Sequence, residues 1–360
     1  MNILYIAYTD FAPTQVGASM RPQKMYRAFV DEGHKVKLLC GRQGTLRSEE
    51  RARRAAEVKK ISAWLDTERP DLCYIESPVY PILWEFDRAL IRKIRRLGIP
   101  IGYFYRDFYR RFPDLYPGRS DPVGRIKEKG LDILQDTTDR LLKKADIVYF
   151  PSMSAAALFD YRDKRALPPA GELREATALP RDNTCIYVGG MGGHYGGENL
   201  LKAFHILNAE GSYPLLLVCR QNEWASVPAE LKTGSWLEVH HTSGDGLTPL
   251  YRRSELAVLP IEKTAYTDTA VNIKFFEYMS YGLPVASTDV AAVADLVRKN
   301  DIGRVGGDTP EEIAENIRAM LSDTEGIERW HHNALRSMAE GNLWIHRARQ
   351  VVRELSEKRR

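Results

Sequence analysis

The sequence has no long hydrophobic run. No window of about 18 apolar residues occurs, which excludes a transmembrane helix. The opening segment MNILYIAYTDF is apolar but lacks the basic region and cleavage site of a signal peptide, so it predicts a first strand. Cysteine is scarce: Cys40, Cys73, Cys185 and Cys219 stand singly in apolar runs, without the spacing of metal or redox pairs. Reduced core thiols in a cytoplasmic protein are expected.

The composition is that of an ordinary folded protein. Aromatic residues make up 10% of the chain and hydrophobic residues 44%, which excludes collagen-like and disordered classes. The 360 residues are too many for one core and predict two domains. Charge also divides the chain: residues 1–180 carry a net charge of +8, and residues 181–360 a net charge of −4.

Short apolar runs alternate with amphipathic stretches in both halves. The strand-like runs are NILYIAY, KVKLLC, LCYI, PIGYFY and DIVYF, then TCIYVGG, YPLLLVC, WLEVHH, ELAVLP, LPVAS and IGRVG. Helices are predicted near 20–32, 47–67, 82–97, 124–145, 197–210, 246–253, 272–281, 290–299 and 309–321, with a helical tail from 325 broken near 341. A short helix capped by Ser152 is also predicted.

This alternation predicts an α/β protein with two doubly wound, Rossmann-like domains that face each other across a cleft. We expect a first domain of residues 1–165 plus 342–360 and a second domain of residues 181–341. The proline- and glycine-containing stretch 166–180 is predicted to be a linker. Ligands are expected at the carboxyl ends of the strands.

The most informative segment is VNIKFFEYMSYGLPVAST, residues 271–288. Lys274 and Glu277 lie one helical turn apart and therefore share a face. A helix N-terminus with a nearby lysine suits phosphate, and a carboxylate can accept hydrogen bonds from ribose hydroxyls. Taken alone, these two residues are better explained by a solvated Lys–Glu pair on an amphipathic helix.

This segment resembles the nucleotide-sugar site of GT-B glycosyltransferases of family 4 and its relatives, which have a Glu, a small-residue-rich helix and Gly-x-Pro-Val. Here these are Glu277, Met279–Tyr281 and the run from Gly282 to Val285. The runs EGHKV, IYVGGM and LTPLYRRSELAVLPI extend the resemblance in order along the chain. It implies that Glu277 binds the donor ribose and Lys274 the diphosphate of a UDP- or GDP-type sugar.

Two departures from the family 4 pattern concern the donor sugar and the diphosphate. Thr269 stands where that family has an acidic residue, with Asp268 beside it. The loop 189–197 has six glycines but lacks the usual Arg and Lys. Met191 in this loop, together with Lys274, is similar to a xanthan-type glucuronosyltransferase branch, and Gly190 beside Met191 is also expected at the donor. Family 4 retains the anomeric configuration and that branch inverts it, so the stereochemistry stays open.

Three further residues complete the expected donor site. Asn272 precedes the helix that carries Lys274, and His240 and His241 end the strand where the family places its base pocket. Because neighbouring strand residues face opposite ways, only one of the two histidines can point into a pocket. The same geometry, with no third ligand nearby, argues against a zinc site.

Catalytic residues of the first domain are expected after its fourth strand. Asp107 is the candidate base for an inverting transfer, although an ion pair of Asp107 with Arg106 or Arg110 is an even alternative. Arg106 and, in the opening loop, Gly17 and Arg21 are expected near phosphate or acceptor, by resemblance. No metal is required, since Lys274, loop amides and helix dipoles can neutralise a diphosphate.

Basic amphipathic helices suggest a possible anionic membrane surface as a partner. Arg88, Arg92, Arg95 and Arg96 surround the apolar stripe of Leu90, Ile91, Ile94 and Leu97, and the segment RSEERARRAAEVKK is similarly basic. A solvated helix face is the plain alternative. Nucleic acid is disfavoured, because the pI is only about 8.7 and no recognition motif is present.

The sequence therefore predicts a metal-independent hexosyltransferase that needs no cofactor beyond its sugar-nucleotide substrate. Its acceptor is expected to be a saccharide, lipid-linked by resemblance, in bacterial-type polysaccharide or glycan assembly. The expected location is the cytoplasm, peripheral to the inner face of the membrane. A nucleotide-sugar 2-epimerase and a catalytically silent GT-B module that binds sugar or lipid are the alternatives, and fold-level analogy carries much of the choice.

Overall fold

The computed structural model describes residues 1–11, 17–43, 48–79, 81–106, 108–113, 121–175 and 178–359. The chain divides into two compact units, Met1–Pro168 with Trp344–Arg360, and Pro169–Leu343. Each unit contains a six-stranded parallel sheet with helices packed against it. Among the described residues, no helix combines the length and the apolar character needed to cross a bilayer.

The first unit has its sheet in the order β2-β1-β3-β4-β5-β6. The strands are β1 (Asn2–Ala7), β2 (Lys35–Leu39), β3 (Leu72–Glu76), β4 (Ile101–Phe104), β5 (Ile147–Phe150) and β6 (Lys164–Ala166). The helices are α1 (Gly17–Asp31), α2 (Ser48–Thr67), α3 (Glu85–Arg96), α4 (Pro122–Leu142) and α5 (Met153–Ala157).

Burial explains which strands of the first unit the sequence predicts. β3, β4 and β5 are buried at every residue, as expected of parallel strands covered by helices on both faces. β6 was not predicted, because the edge segment Lys-Arg-Ala is only half-buried and has no apolar run. The predicted N-cap of α5 is confirmed: Ser152 Oγ accepts a hydrogen bond from Ala155 N at 3.0 Å.

The second unit has the strand order β12-β11-β10-β7-β8-β9. Its strands are β7 (Cys185–Val188), β8 (Leu215–Val218), β9 (Leu237–His240), β10 (Leu256–Leu259), β11 (Val285–Thr288) and β12 (Gly303–Gly306). Its helices are α6 (Gly197–Glu210), α7 (Gln221–Ala225), α8 (Thr248–Arg252), α9 (Ile273–Ser280), α10 (Ala291–Asn300), α11 (Pro310–Leu321) and α12 (Thr324–Gly341).

All six strands predicted for the second half are present, because each is an apolar run between turn-forming residues. The helix α11 begins at a capping box that the sequence spells out as Thr-Pro-Glu-Glu. Thr309 Oγ1 accepts a hydrogen bond from Glu312 N, and the Glu312 carboxylate accepts one from Thr309 N. The five-residue helix α7 was not predicted, since it has no apolar stripe of its own.

The last helix, α13 (Trp344–Ser356), belongs to the first unit. It packs against α1, where Arg349 and Glu32 form an ion pair with a closest distance of 2.6 Å. It also packs against the sheet: a Cβ added to Gly102 on β4 would stand 2.8 Å from Leu355 Cδ1. The helix α13 therefore belongs to the packed core of the first unit, although it follows the whole second unit in the sequence.

The apolar stripe of α3 faces the interior of the first unit. Leu90, Ile91 and Ile94 are at most 3% exposed, and Arg88 is buried with them. The Arg88 guanidinium donates hydrogen bonds to the carbonyl oxygen of Ile82 and to Glu85. This stripe is used for packing and leaves no apolar face of α3 for a lipid surface.

Candidate functional site

The second sheet reverses its strand order between β7 and β10. The chain runs outward from β7 to β8 and β9, then returns to place β10 on the other side of β7. Ligands of doubly wound sheets bind outside the carboxyl ends of the strands at such a point. The segments that leave β7 and β10 there are the glycine loop, residues 189–197, and the loop of residues 260–272.

These two loops are in direct contact. Gly196 has φ +70°, and a Cβ added to it would stand 1.7 Å from the carbonyl oxygen of Pro260. Only glycine satisfies both the left-handed backbone and this close approach. Glu262 N also donates a hydrogen bond of 3.0 Å to His194 O. The glycine loop is therefore fixed against the loop that leads into α9.

Within the glycine loop, hydrogen bonds to Tyr187 and Glu223 fix the backbone of Gly190 and Met191. Tyr187 donates a hydrogen bond of 2.5 Å from its hydroxyl to Gly190 O, and Met191 N donates one of 3.1 Å to Glu223 Oε2. The Met191 side chain is 2% exposed and packs in the core against Gly197. Met191 thus anchors the loop, and the core encloses its side chain almost completely.

The helix α9 follows its N-cap residue, Asn272, and carries Lys274 and Glu277, to which the resemblance assigns the diphosphate and the ribose of the donor. Asn272 Oδ1 accepts a hydrogen bond of 2.8 Å from Lys274 N and caps the helix. Lys274 Nζ lies 2.6 Å from Glu277 Oε2, and both side chains are about one-fifth exposed. The ammonium group of Lys274 and the carboxylate of Glu277 therefore form a partly buried ion pair across the first turn of α9, as their spacing predicts.

Tyr251 on α8 is a site residue that the sequence analysis missed. Its hydroxyl donates a hydrogen bond of 2.9 Å to Glu277 Oε2. Burial, and then the neighbouring carboxylate of Glu277, raise the pKa of Tyr251 well above its usual value, so the phenol stays protonated. No spacing rule connects Tyr251 with Glu277, since they lie on different helices that only the tertiary fold brings together.

His194 stands at the rim of the glycine loop. Its ring stacks on Tyr195 at 4.7 Å between centroids and meets the edge of Tyr266 at 5.6 Å. Burial lowers the pKa of His194, which favours the neutral imidazole near pH 7. A neutral imidazole that can take up a proton is suited to contact with an arriving anion.

Asp268 and Thr269 lie in a tight turn before α9. Asp268 Oδ1 accepts a hydrogen bond of 2.8 Å from Ala291 N, the first residue of α10. Thr269 is buried, and its hydroxyl donates a hydrogen bond of 2.6 Å to Tyr266 O. Both side chains therefore have structural bonds of their own at the positions where the resemblance implies contact with the donor sugar.

His240 and His241 end β9, the edge strand, which two strands separate from β10. His240 Nε2 lies 2.7 Å from Glu238 Oε1, whereas His241 Nδ1 bonds to Cys219 O at 2.9 Å. The structure does not bring either side chain into contact with Glu277. Within the described ranges, no group of three or more His, Cys, Asp or Glu side chains is placed to hold a metal ion.

In the first unit, Arg21 on α1 lies in a buried polar cluster beside the end of β3. Arg21 Nε is 3.2 Å from Glu76 Oε1, which also accepts a hydrogen bond of 2.9 Å from Tyr74. The guanidinium stacks on Phe104 with its central carbon 3.5 Å from the ring centroid. Glu76 is a second residue that the sequence analysis missed, because a lone Glu at a strand end carries no motif.

The other residues expected in the first unit are less informative. Gly17 is the first residue of α1, and Arg106 N donates a hydrogen bond of 3.1 Å to Ser77 Oγ just beyond β4. Asp107, the expected catalytic base, lies outside the described residues. Its role stays a prediction.

Residues 182–323 match the model of the family described as "Glycosyl transferases group 1". This stretch of the second unit is similar to the domains of group 1 glycosyltransferases. The match covers the glycine loop, α8 and α9, and therefore every residue of the site around Glu277. A search of curated protein sequences found no significant match.

Solved structures match the whole chain. Sucrose-phosphate synthase from Thermosynechococcus elongatus is 15% identical with a TM-score of 0.69, covering 98% of each chain. HepE of Anabaena in complex with UDP-glucose is 14% identical with a TM-score of 0.63, covering 99% of this chain and 100% of its own. WaaG, a glycosyltransferase involved in lipopolysaccharide biosynthesis, is 15% identical with a TM-score of 0.62, covering 97% and 98%. The chain has the GT-B fold, which confirms the predicted fold class.

Proposed function

We propose that the protein is a glycosyltransferase that moves a sugar from a nucleoside diphosphate to a saccharide acceptor. The observation that carries the proposal is the cluster of Tyr251, Lys274 and Glu277 on α8 and α9. The helix α9 bonds to the end of β7 through Tyr278 and follows the loop that the glycine loop contacts. Support for the proposal comes from the match to group 1 glycosyltransferases over residues 182–323 and from HepE, whose solved structures include complexes with UDP and with UDP-glucose.

In this proposal, Glu277 binds the donor ribose. Tyr251 and Lys274 both contact Oε2 of Glu277, which directs the second oxygen, Oε1, to the diol of a ribose. Lys274 exchanges its contact with Glu277 for the diphosphate when the donor arrives, because a cation near the N-terminus of α9 stabilises phosphate there. The transferred group is a hexose, and the same charges let the reaction proceed without a metal ion.

A thermal-shift panel of UDP, GDP, CMP and their sugar conjugates tests the donor site. Ligand at 100 times its dissociation constant adds about 2.7 kcal/mol of stability, so one nucleotide series should raise the unfolding temperature. Glu277→Gln, which removes the charge and keeps the size, should abolish that shift. Glu315→Gln, on the exposed side of α11, is the matched control and should leave the shift unchanged. No shift with any nucleotide would favour a silent GT-B module.

The first unit binds the acceptor in this proposal, and Asp107 deprotonates its hydroxyl. This role requires an inverting transfer, since a retaining enzyme has no need of that base. Asp107→Asn should lower turnover by a factor of about 100 or more while nucleotide binding stays intact. The anomeric configuration of the product then separates the xanthan-type branch, which inverts, from family 4, which retains.

The acceptor is proposed to be lipid-linked, which places the reaction at the inner face of a membrane in polysaccharide or glycan assembly. Residues 1–180 carry a net charge of +8, which suits the diphosphate of such an acceptor. Turnover should therefore be faster with a sugar diphosphate on a lipid tail than with the same sugar diphosphate lacking the tail. Equal rates would restrict the proposal to soluble saccharide acceptors.

A further inference from the structure

Three aromatic rings in contact with one another form an aromatic rim on the glycine loop. The ring of His194 stacks on Tyr195 at 4.7 Å between centroids, and the ring of Tyr266 meets it edge-on at 5.6 Å. Tyr195 is 41% exposed, and the other two residues are half-buried. Single exposed aromatic residues are common on protein surfaces, but rings that contact one another and stay open to solvent form a surface for a flat ligand.

The position of Tyr195 depends on the glycine that it covers. A Cβ added to Gly190 would stand 2.7 Å from Cδ2 of Tyr195, so the ring lies directly on the backbone of the loop. Tyr187 fixes that backbone through its hydrogen bond to Gly190 O. The aromatic rim is therefore attached to the loop that is expected beside the diphosphate.

Glu262 is bound to the aromatic rim through its backbone. Its N–H donates a hydrogen bond of 3.0 Å to His194 O, and its carbonyl oxygen accepts one of 2.7 Å from Thr267 Oγ1. The residue is half-buried, and among the residues that the structure describes no hydrogen bond or ion pair engages its carboxylate. Glu262 therefore offers two acceptor oxygens from a fixed backbone position next to the rim.

The cations close to Glu262 do not neutralise it. Lys263 Nζ lies 3.1 Å from one carboxylate oxygen of Asp289, and Arg298 pairs with the other oxygen at 2.9 Å. A second carboxylate, that of Asp308, accepts a hydrogen bond of 2.8 Å from Lys263 N. These five side chains comprise three carboxylates and two cations, so together they carry a net negative charge.

An aromatic rim beside an unpaired carboxylate suits a neutral sugar. A sugar ring presents C–H groups, which the negative face of an aromatic ring attracts, and hydroxyls, which donate hydrogen bonds to a carboxylate. A sugar acid brings a carboxylate of its own, and Glu262 would repel it. The same surface therefore attracts a hexose and disfavours a hexuronic acid.

We propose that the aromatic rim and Glu262 bind the transferred sugar of the donor and select a neutral hexose over a hexuronic acid. This proposal deepens the proposed function and rests on it. With the ribose at Glu277 and the diphosphate at Lys274, the sugar on the second phosphate lies towards the loop of residues 260–272, which leads into α9.

Glu262 supplies a carboxylate that the neighbouring turn does not offer. Asp268 accepts a hydrogen bond from Ala291 N, and the hydroxyl of the buried Thr269 donates one to Tyr266 O. These two side chains stand where the resemblance implies contact with the donor sugar, and both have structural bonds. In this proposal Glu262 makes that contact from the same loop.

Isothermal titration on the full-length protein tests the carboxylate with UDP, UDP-glucose and UDP-glucuronic acid. GDP, GDP-mannose and GDP-mannuronic acid replace them if the thermal-shift panel selects guanosine. The hexose conjugate should bind at least about tenfold more tightly than the acid conjugate. Glu262→Gln should weaken the hexose conjugate about fivefold, strengthen the acid conjugate and leave the free nucleotide unchanged. Glu230→Gln, at an exposed carboxylate between α7 and β9, is the matched control and should change none of the three affinities.

Variants of Tyr195 test the aromatic rim. Tyr195→Leu removes the ring and keeps an apolar side chain, so it should weaken the hexose conjugate about threefold or more and leave the free nucleotide unchanged. Tyr195→Phe keeps the ring and should bind both ligands as the unaltered protein does.

Three results would overturn the proposal. The first is tighter binding of the acid conjugate than of the hexose conjugate by the unaltered protein. The second is a ratio between these two affinities that Glu262→Gln leaves unchanged. The third is an equal loss of affinity for the free nucleotide and the hexose conjugate in Tyr195→Leu, which would place the nucleotide on the rim. Absence of any nucleotide binding by the unaltered protein would instead contradict the proposed function itself.

Discussion

Tyr251 donates its hydroxyl hydrogen to Oε2 of Glu277 over 2.9 Å, from a different helix. Lys274 contacts the same oxygen at 2.6 Å. Two donors on one oxygen hold the carboxylate in one rotation and leave the other oxygen, Oε1, as an acceptor for a further donor. Tyr251 is therefore a positioning residue for Glu277.

Tyr251→Phe should weaken UDP binding by a factor of about ten, since hydrogen bonds to charged groups contribute about 1.5–3 kcal/mol. Isothermal titration measures this directly. Tyr281→Phe is the matched control: its ring lies 4.7 Å from that of Tyr251, but its hydroxyl bonds to Thr248 at 2.8 Å. If both variants lose affinity equally, the loss comes from the aromatic cluster and not from the bond to Glu277.

The close approach of Gly196 to Pro260 predicts a strong effect of a single methyl group. Gly196→Ala should lower the free energy of unfolding by about 2 kcal/mol or more, because the backbone is left-handed and the new Cβ would overlap Pro260 O. Gly192→Ala, in the same loop, is the control: a Cβ there meets nothing within 4 Å. Chemical denaturation compares the two, and equal stability would contradict the contact between the loops.

The features that the sequence predicts best are those that depend only on residues close together in the chain. The strand runs of the second unit and the N-cap at Ser152 follow from neighbouring residues, and the structure has them. The capping box at Thr309 was not predicted, although it depends on neighbouring residues alone. The pair of Lys274 and Glu277 is equally local, one helical turn apart.

Contacts between distant segments could not be predicted in this way. Tyr251 reaches Glu277, and Arg21 reaches Glu76 over 55 residues, only because a parallel sheet gathers the ends of its strands at one edge. The edge strand β6 was missed for a different reason, since a half-buried strand of Lys-Arg-Ala has no hydrophobic pattern to detect.

Variants of Asp268 can separate a structural role of this side chain from a role in donor binding. Its side chain accepts a hydrogen bond from Ala291 N at the start of α10, so Asp268→Ala should lower the free energy of unfolding by about 1 kcal/mol, as the loss of a helix cap does. Asp268→Asn keeps a hydrogen-bond acceptor and should therefore keep most of the stability that Asp268→Ala loses. If Asp268 also contacts the donor sugar, both variants should weaken binding of the sugar nucleotide more than binding of UDP. Equal effects on the two ligands would assign Asp268 to the structure alone.

His194 predicts a pH dependence of donor binding. Burial lowers the pKa of its imidazole, so the free protein holds it neutral near pH 7. An arriving diphosphate favours the imidazolium and raises the pKa in the complex, and binding then takes up a proton. Affinity for UDP should consequently increase as the pH falls from the pKa of the complex towards that of the free protein.

Titration calorimetry in buffers of different ionisation enthalpy counts this proton. His194→Gln should abolish the uptake, whereas His205→Gln, on α6, should not. If the unaltered protein, His194→Gln and His205→Gln all take up the same number of protons on binding UDP, His194 is excluded as the source. The loop amides and Lys274 would then be the partners of the phosphates.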